Sequence, residues 1–179
     1  MVELTTAFEA QAGRIGATVH RAARADVLPL ATRILLEARC RTVAVADGVP
    51  QRPALIQGLG EAGLSVAATA GLWPTRRADA GISVAMLGVA ETGSVLLAST
   101  ADDRRVELCV DVHLVWLEAA TLVPTLDGAV AVLRRVSGRP PAYATLVSGP
   151  SRSADIERQL TIGVHGPRAL HILLMAASE

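Results

Sequence analysis

The chain has 179 residues, about half of them apolar, and a formal net charge of zero. This length supports one hydrophobic core, and we expect a single domain over residues 1–179. The absence of lysine excludes Schiff-base enzymes, a pyridoxal-phosphate anchor and a Walker-type P-loop.

The N-terminal part, residues 1–77, is predicted to hold helices and the first strands. Composition and capping residues predict three helices: Leu4–Ala25, Asp26–Glu37 and Gln51–Glu61. Short apolar runs predict two buried strands: Thr42–Ala46 and Leu64–Thr69. Gly58, Gly60 and Gly63 match the dinucleotide-binding fingerprint by letters. That fingerprint must follow a strand and open a helix, whereas these glycines close a predicted helix and indicate its C-terminal stop.

The C-terminal part, residues 78–179, carries most of the polar motifs. A helical turn is predicted around Ala78–Ser83, and a tight turn at Glu91–Ser94 joins two adjacent strands. Further strands are predicted at Asp111–Leu117, Ala142–Val147 and Leu170–Met175, and further helices after Pro124 through Arg135 and at Ser153–Leu160. This order predicts an α/β protein with a mixed open sheet covered by helices on both faces.

Several partners are excluded by composition. Basic residues occur in pairs at most and aromatic residues are rare, so the stripe needed to bind nucleic acid is missing. The longest apolar stretch, Val84–Ala90, is far shorter than the roughly 20 residues of a membrane helix. Cys40 and Cys109 stand alone, which excludes a complete zinc or iron–sulfur ligand set. We expect a cytoplasmic protein with no nucleic acid, membrane or metal partner.

The segment Ser148–Glu157 is the strongest candidate for an anion site. It follows a predicted strand, and open α/β sheets bind ligands beyond the carboxyl ends of their strands. Gly149 lets the backbone approach a ligand closely, and Ser151 and Ser153 would cap a helix or donate to an anion. A well-capped connection between strand and helix explains the same residues without a ligand.

Glu91 is the only charged residue between Gly81 and Thr100. A carboxylate in so apolar a neighbourhood is a candidate base or nucleophile because burial would raise its pKa. The alternative is a turn of the hairpin that is simply exposed to solvent.

The histidines differ in their surroundings. His113 and His171 lie in predicted strands, where a structural role is the commoner one. His165 lies in a loop shaped by glycine and proline, which makes it the better candidate for acid–base work or ligand contact. The spacings among Asp111 and the three histidines match no known pair of metal ligands, so we predict no metal site.

Five segments in order resemble the lactate-utilisation protein C family, built on the LUD domain. They are Ala78–Ser83, Val89–Ser94, Asp111–Val115, Ser148–Glu157 and Gly163–His171. Each segment is short, but the ordered set is specific, and it covers the chain from about Ala78 to the end. The resemblance implies a fold similar to the sugar-phosphate isomerase and CoA-transferase superfamily.

The resemblance also implies a role in oxidising L-lactate to pyruvate, alongside partner proteins that carry iron–sulfur clusters. This chain lacks cysteine-rich motifs, so we expect those clusters on the partners and no cofactor here. CoA-transferase-like members use a glutamate as nucleophile, but the Glu91-Thr-Gly sequence is not their motif, and that mechanism is not transferred.

The leading interpretation is an accessory or regulatory component of lactate utilisation with a pocket for a small carboxylate or phosphate-bearing ligand. Glu91 and His165 are the candidate catalytic residues, and the candidate ligand contacts are Thr92, Gly93, Arg104, His113, Ser148, Gly149, Ser151 and Arg168. Arg104 or Arg168 would clamp the anion. Two alternatives stay open: an acyl-CoA or sugar-phosphate enzyme of the same superfamily, and a non-catalytic interaction subunit. The apolar hairpin Val84–Ala98 is compatible with a homo-oligomer or with a core position.

Overall fold

The computed structural model describes residues 2–69, 78–135, 143–154, 160–162 and 166–176. The helices within these ranges are α1 (Val2–Arg14), α2 (Val27–Glu37), α3 (Arg52–Glu61), α4 (Ala101–Leu108) and α5 (Leu126–Arg135). The strands are β1 (Thr18–Ala22), β2 (Thr42–Val45), β3 (Ser65–Ala67), β4 (Ala78–Val89), β5 (Ser94–Ser99), β6 (Val110–Glu118), β7 (Leu122–Val123), β8 (Tyr143–Val147), β9 (Arg152–Ala154), β10 (Leu160–Ile162) and β11 (Ala169–Met175). None of these helices is long and apolar enough to cross a membrane.

A parallel sheet forms the centre of the molecule. Its strands follow the order β1-β11-β6-β4-β2-β3, and every neighbouring pair in this order is parallel. His113 of β6 lies beside Leu170 of β11 on one side and Gly81 of β4 on the other. Strands buried on both faces need continuous apolar runs, which explains why the runs in β2, β6 and β11 could be recognised.

Strand β4 continues beyond the parallel sheet and makes the overall sheet mixed. Its register shifts between Ala85 and Leu87, and from there it pairs antiparallel with β5 and parallel with β7. Strand β8 joins antiparallel to β5. The predicted mixed sheet and the predicted hairpin around Glu91–Ser94 are therefore confirmed.

The core lies on both faces of the sheet, and strand β6 shows this division. Leu114 and Trp116 point to the face covered by α2, α3 and α4, whereas Val115 and Leu117 point to the face covered by α1. Successive side chains of a strand project to opposite faces, so the helices on the two faces bury alternate residues. The predicted helical cover on both faces is confirmed.

Three predicted helical segments are wrong, at least in part. Helix α1 ends at Arg14, Gly16 has a positive φ of 86°, and Thr18–Ala22 forms a strand. Pairing of this strand with β11 overrides the helix propensity of Arg21 and Ala22. Ala78–Ser83 is the start of β4, and Ser153, Ala154 and Leu160 lie in paired strands. The rest of the predicted helix, residues 155–159, lies outside the described residues.

Candidate functional site

A cavity of about 220 Å³ lies between α4, β6, β8 and β11. Its described lining residues are Glu107, Leu108, His113, Thr145, Leu146, Val147, Gly149, Ser151, Gly166, Pro167 and Leu170. Three of these, His113, Gly149 and Ser151, are predicted ligand contacts. The cavity lies near the amino ends of β6 and β11, so the expected location beyond the carboxyl ends holds only for β8.

Glu107 is the residue of this cavity that sequence reasoning missed. It lies in the last turn of α4 with only 5% of its surface exposed, because that helix packs directly on β4. A Cβ on Gly81 of β4 would lie 2.1 Å from the carbonyl oxygen of Val106, so only glycine permits this approach. A glycine inside a strand is the sequence signal for such close packing.

Only one of the two oxygens of the Glu107 carboxyl group has a hydrogen-bond partner among the described residues. Ser99 Oγ donates to Oε1 at 2.6 Å, whereas the buried Oε2 has no hydrogen-bond partner among the described residues. Burial raises the pKa of Glu107 above its ordinary value, and the nearby charge of Asp103 adds to the increase. The hydrogen bond from Ser99 and the positive charge of Arg104 oppose that increase.

His113 is fully buried and lies beside the same cavity. Burial lowers the pKa of its imidazole to about 4, so the ring is neutral at neutral pH. Its Nε2 atom lies 2.8 Å from Ser83 Oγ on the neighbouring strand β4. A carboxyl group with a raised pKa and an imidazole with a lowered pKa thus line one small space, a combination typical of functional sites.

The loop after β8 forms another wall of the cavity. Ser148 Oγ lies 2.7 Å from Ser94 Oγ of β5, which fixes the start of the loop. Gly149 has a φ of 84°, and a Cβ there would lie 2.3 Å from the carbonyl oxygen of Ile15. The backbone N–H of Ser151 then donates to the carbonyl oxygen of Pro167 at 2.8 Å. Glycine is therefore required at this turn for both conformation and space.

The turn that holds Glu91 lies outside the cavity lining. Glu91 is exposed, and its Oε2 accepts a 3.1 Å hydrogen bond from the backbone N–H of Leu126 at the start of α5. Gly93 packs on α1, where a Cβ would lie 2.1 Å from the backbone nitrogen of Ala12. Thr92 Oγ1 is buried without a hydrogen-bond partner among the described residues. The turn thus connects α1, α5 and the β4–β5 hairpin.

The two candidate arginine clamps also lie outside the cavity lining. The guanidinium of Arg104 stacks on the ring of Tyr143, 4.5 Å from its centroid. Arg168 is exposed, and its Nε lies 3.9 Å from Asp111 Oδ1. Each guanidinium therefore has a partner within the chain.

The structure brings together part of the predicted site. His113, Gly149 and Ser151 share the cavity, and Ser148 contacts Ser94 beside it. Glu91, Thr92, Gly93, Arg104 and Arg168 are absent from its lining. His165, the second candidate catalytic residue, lies outside the described residues. Within the described ranges, no three His, Cys, Asp or Glu side chains are grouped to hold a metal ion.

Comparison with known proteins gives the family. The model of the LUD domain matches residues 75–175, which is more than half of the chain. The chain belongs to the LUD domain family. The match contains Gly81, Glu107, His113, Gly149 and Ser151, so the cavity is built almost wholly from the family domain.

Curated relatives match over about half of this chain. The chain is 38% identical over 101 residues to "Lactate utilization protein C" of Shouchella clausii, covering 54% of the chain and 44% of that protein. It is 34% identical over 103 residues to the protein of the same name from Bacillus subtilis, covering 55% of the chain and 43% of that protein. An uncharacterized protein of Neisseria meningitidis is 38% identical over 96 residues, which cover 53% of the chain and 41% of that protein. The chain thus spans less than half the length of these relatives.

A solved structure shows the same fold. A DUF162 family protein from Deinococcus radiodurans superposes with a TM-score of 0.71 and covers 98% of each chain. The two sequences are 23% identical, so this likeness concerns the fold.

Proposed function

We propose that this protein acts in lactate utilisation by binding a small carboxylate in the cavity lined by His113, Gly149 and Ser151. The names of its curated relatives support the process, and the cavity supports the ligand. The observation that carries the proposal is that His113 of β6 lines the same cavity as Gly149 and Ser151 from the loop after β8, and that all three are predicted ligand contacts.

The size of the cavity favours a ligand of few atoms. About 220 Å³ lies below the roughly 300–1,000 Å³ of sites that enclose drug-sized molecules. Lactate and pyruvate fit wholly within such a space, whereas most of an acyl-CoA would have to extend out of it. The cavity therefore favours the accessory role in lactate utilisation over the acyl-CoA enzyme.

The polar lining suits a small oxygen-rich molecule. His113 supplies a neutral imidazole, Ser151 a hydroxyl and Glu107 a carboxyl group, while Leu146, Val147 and Leu170 supply apolar walls. A few placed polar groups in an apolar wall are the usual composition of a small-molecule site. We further propose that the redox step belongs to iron–sulfur partners, since the two cysteines of this chain supply too few ligands for a cluster.

Isothermal titration calorimetry with L-lactate, pyruvate and CoA tests this function. We expect wild type to bind lactate or pyruvate and not CoA. Leu146→Trp places a large ring at the cavity wall, where Leu146 is 42% exposed, and should weaken binding by about tenfold or more, at least ~1.4 kcal/mol.

Leu36→Trp is the matched control, because Leu36 is 49% exposed on α2 and absent from the cavity lining. It should bind as wild type does. The proposal fails if neither carboxylate binds, or if Leu146→Trp binds both with wild-type affinity.

A further inference from the structure

Glu107 lines the cavity, and one oxygen of its buried carboxyl group is unpaired within the described part of the chain. Glu107 Oε2 is buried and has no partner among the described residues, although Oε1 of the same group is hydrogen-bonded to Ser99. A buried polar atom without a partner destabilises the folded protein, because it has lost its hydrogen bond to water. In a residue that lines a cavity, such a cost points to a carboxyl group that gains a partner when the cavity is filled.

The surroundings of Glu107 contain both signs of charge. Asp103 and Arg104 on its own helix act on it with opposite effect, and Arg104 is also held against Tyr143 of β8. Strand β5 contributes the Ser99 hydroxyl, and β6 contributes His113, which shares the cavity. Because burial keeps His113 neutral, it supplies no positive charge to balance an ionised Glu107.

A carboxylate ligand next to an ionised Glu107 would place two negative charges in one small buried space. Two carboxyl groups that share a site keep one proton between them, since both cannot ionise at short distance. A protonated Glu107 removes the repulsion and turns the unpaired oxygen into a hydrogen-bond donor.

We propose, on the basis of the function above, that Glu107 carries a proton when the cavity is occupied and donates it in a hydrogen bond to a carboxylate oxygen of the ligand. The ligand class is then a small carboxylic acid taken up as the anion together with one proton. Where Glu107 is ionised in the free protein, that proton comes from solvent. No covalent bond forms or breaks, and the charge of the cavity with its ligand is that of the anion alone.

Calorimetric titration with pyruvate between about pH 5 and pH 8, repeated in buffers of different ionisation enthalpy, measures this proton. We expect the affinity of wild type to fall as pH rises, approaching tenfold per pH unit once free Glu107 is ionised. Proton uptake should rise towards one per ligand over the same range. Glu107→Gln keeps a hydrogen-bond donor and loses the titration, so its affinity should be independent of pH and its proton uptake near zero.

Two further variants separate this role from a structural one. Ser99→Ala removes a hydrogen bond that lowers the pKa of Glu107, so the pH at which binding weakens should move upward. Glu61→Gln changes an exposed carboxylate of α3 that bonds only Gln57 among the described contacts and should behave as wild type. If Glu107→Gln does not fold, the direction of the shift in Ser99→Ala decides the question.

The outcomes distinguish the two proposals. Absence of pyruvate and lactate binding at every pH overturns both the function and the role of Glu107. Binding without proton uptake in wild type overturns the role of Glu107 alone. Uptake that persists in Glu107→Gln also overturns it, because the proton then enters through His113 or another group.

Discussion

Glu91 and Glu107 are two glutamates of the same domain with opposite environments. Glu91 lies among apolar residues in the sequence, yet it is exposed and hydrogen-bonded to the first turn of α5. Glu107 lies in a charged stretch of sequence, yet α4 buries it against β4 and the cavity. Apolar neighbours along the chain therefore did not bury the carboxylate. The packing of a helix on the sheet did.

The two glutamates also differ in how much their surroundings affect the carboxyl group. The bond from Leu126 to Glu91 can be replaced by water, because the carboxylate is exposed. Glu107 is buried, and this burial raises the pKa of its carboxyl group. The cavity region is therefore expected to respond to pH and to changes of volume, and the exposed side chain of Glu91 only weakly to either.

The largest expected effect is acid destabilisation through His113. Its pKa is about 4 in the folded protein, against an ordinary value of 6.5. The unfolded chain therefore binds the proton more tightly than the folded protein does between these two pH values. Stability thus rises with pH from about 4 to 6.5, and the loss on acidification is on the order of 3 kcal/mol. Urea unfolding at several pH values measures it.

His113→Gln isolates this contribution, because the pKa values of His20 and His171 are also lowered and act with the same sign. The variant should lose much of the pH dependence below 6.5. Glu107 acts with the opposite sign: its raised pKa makes stability fall as pH rises above the ordinary value for glutamate. An unchanged pH dependence in His113→Gln would mean that the cavity wall is hydrated.

The next largest effect is expected at Gly81. Gly81→Ala would force the backbone of α4 away from β4, since the added Cβ meets the Val106 carbonyl oxygen. We expect a loss of about 2–3 kcal/mol, as for an overpacked core, together with weaker pyruvate binding because Glu107 moves. Thermal unfolding and calorimetry measure the two effects.

Gly58→Ala in α3 is the matched control, since the added Cβ would meet no atom within 4 Å apart from its chain neighbours and the backbone of its own helix. It should stabilise the protein by roughly 0.5–1 kcal/mol through helix propensity. Equal stability changes in the two alanine variants would show that α4 does not depend on this glycine.

The smallest effect is expected at Glu91. Glu91→Ala removes the acceptor for the Leu126 N–H and should cost about 0.5–1 kcal/mol. Glu91→Gln keeps an oxygen acceptor and should recover most of that loss in urea unfolding. Loss of pyruvate binding in Glu91→Gln, at wild-type stability, would instead support the sequence-based prediction that Glu91 belongs to the site.

The sequence predicted the buried strands well because they are bounded apolar runs. Thr42–Val45, Val110–Glu118 and Ala169–Met175 all lie where such runs were recognised. The segment Thr18–Ala22 was mistaken for helix, since its strand character comes from pairing with β11 at the far end of the chain. Pairing between distant segments leaves little trace in local propensity.

Part of the lining of the candidate cavity could be predicted from the sequence. Gly149 and Ser151 were identified because they follow a predicted strand in a segment suited to an anion, and His113 because it is a histidine within a predicted strand. Glu107 was missed because Asp102, Asp103, Arg104 and Arg105 precede it, and such a run is typical of a solvated helix. Its burial depends on Gly81, which was assigned to a helical turn, so one wrong assignment concealed both residues.

Strand β4 has a mechanical consequence for the protein. It pairs within the parallel sheet as far as Val84 and within the β4–β5 hairpin from Ala85 onward. One continuous strand therefore connects the parallel sheet to the hairpin. No loop interrupts β4 at this point, so we expect the parallel sheet and the hairpin to move together. We therefore expect the proposed ligand to enter and leave the open cavity without a movement between these two parts of the sheet.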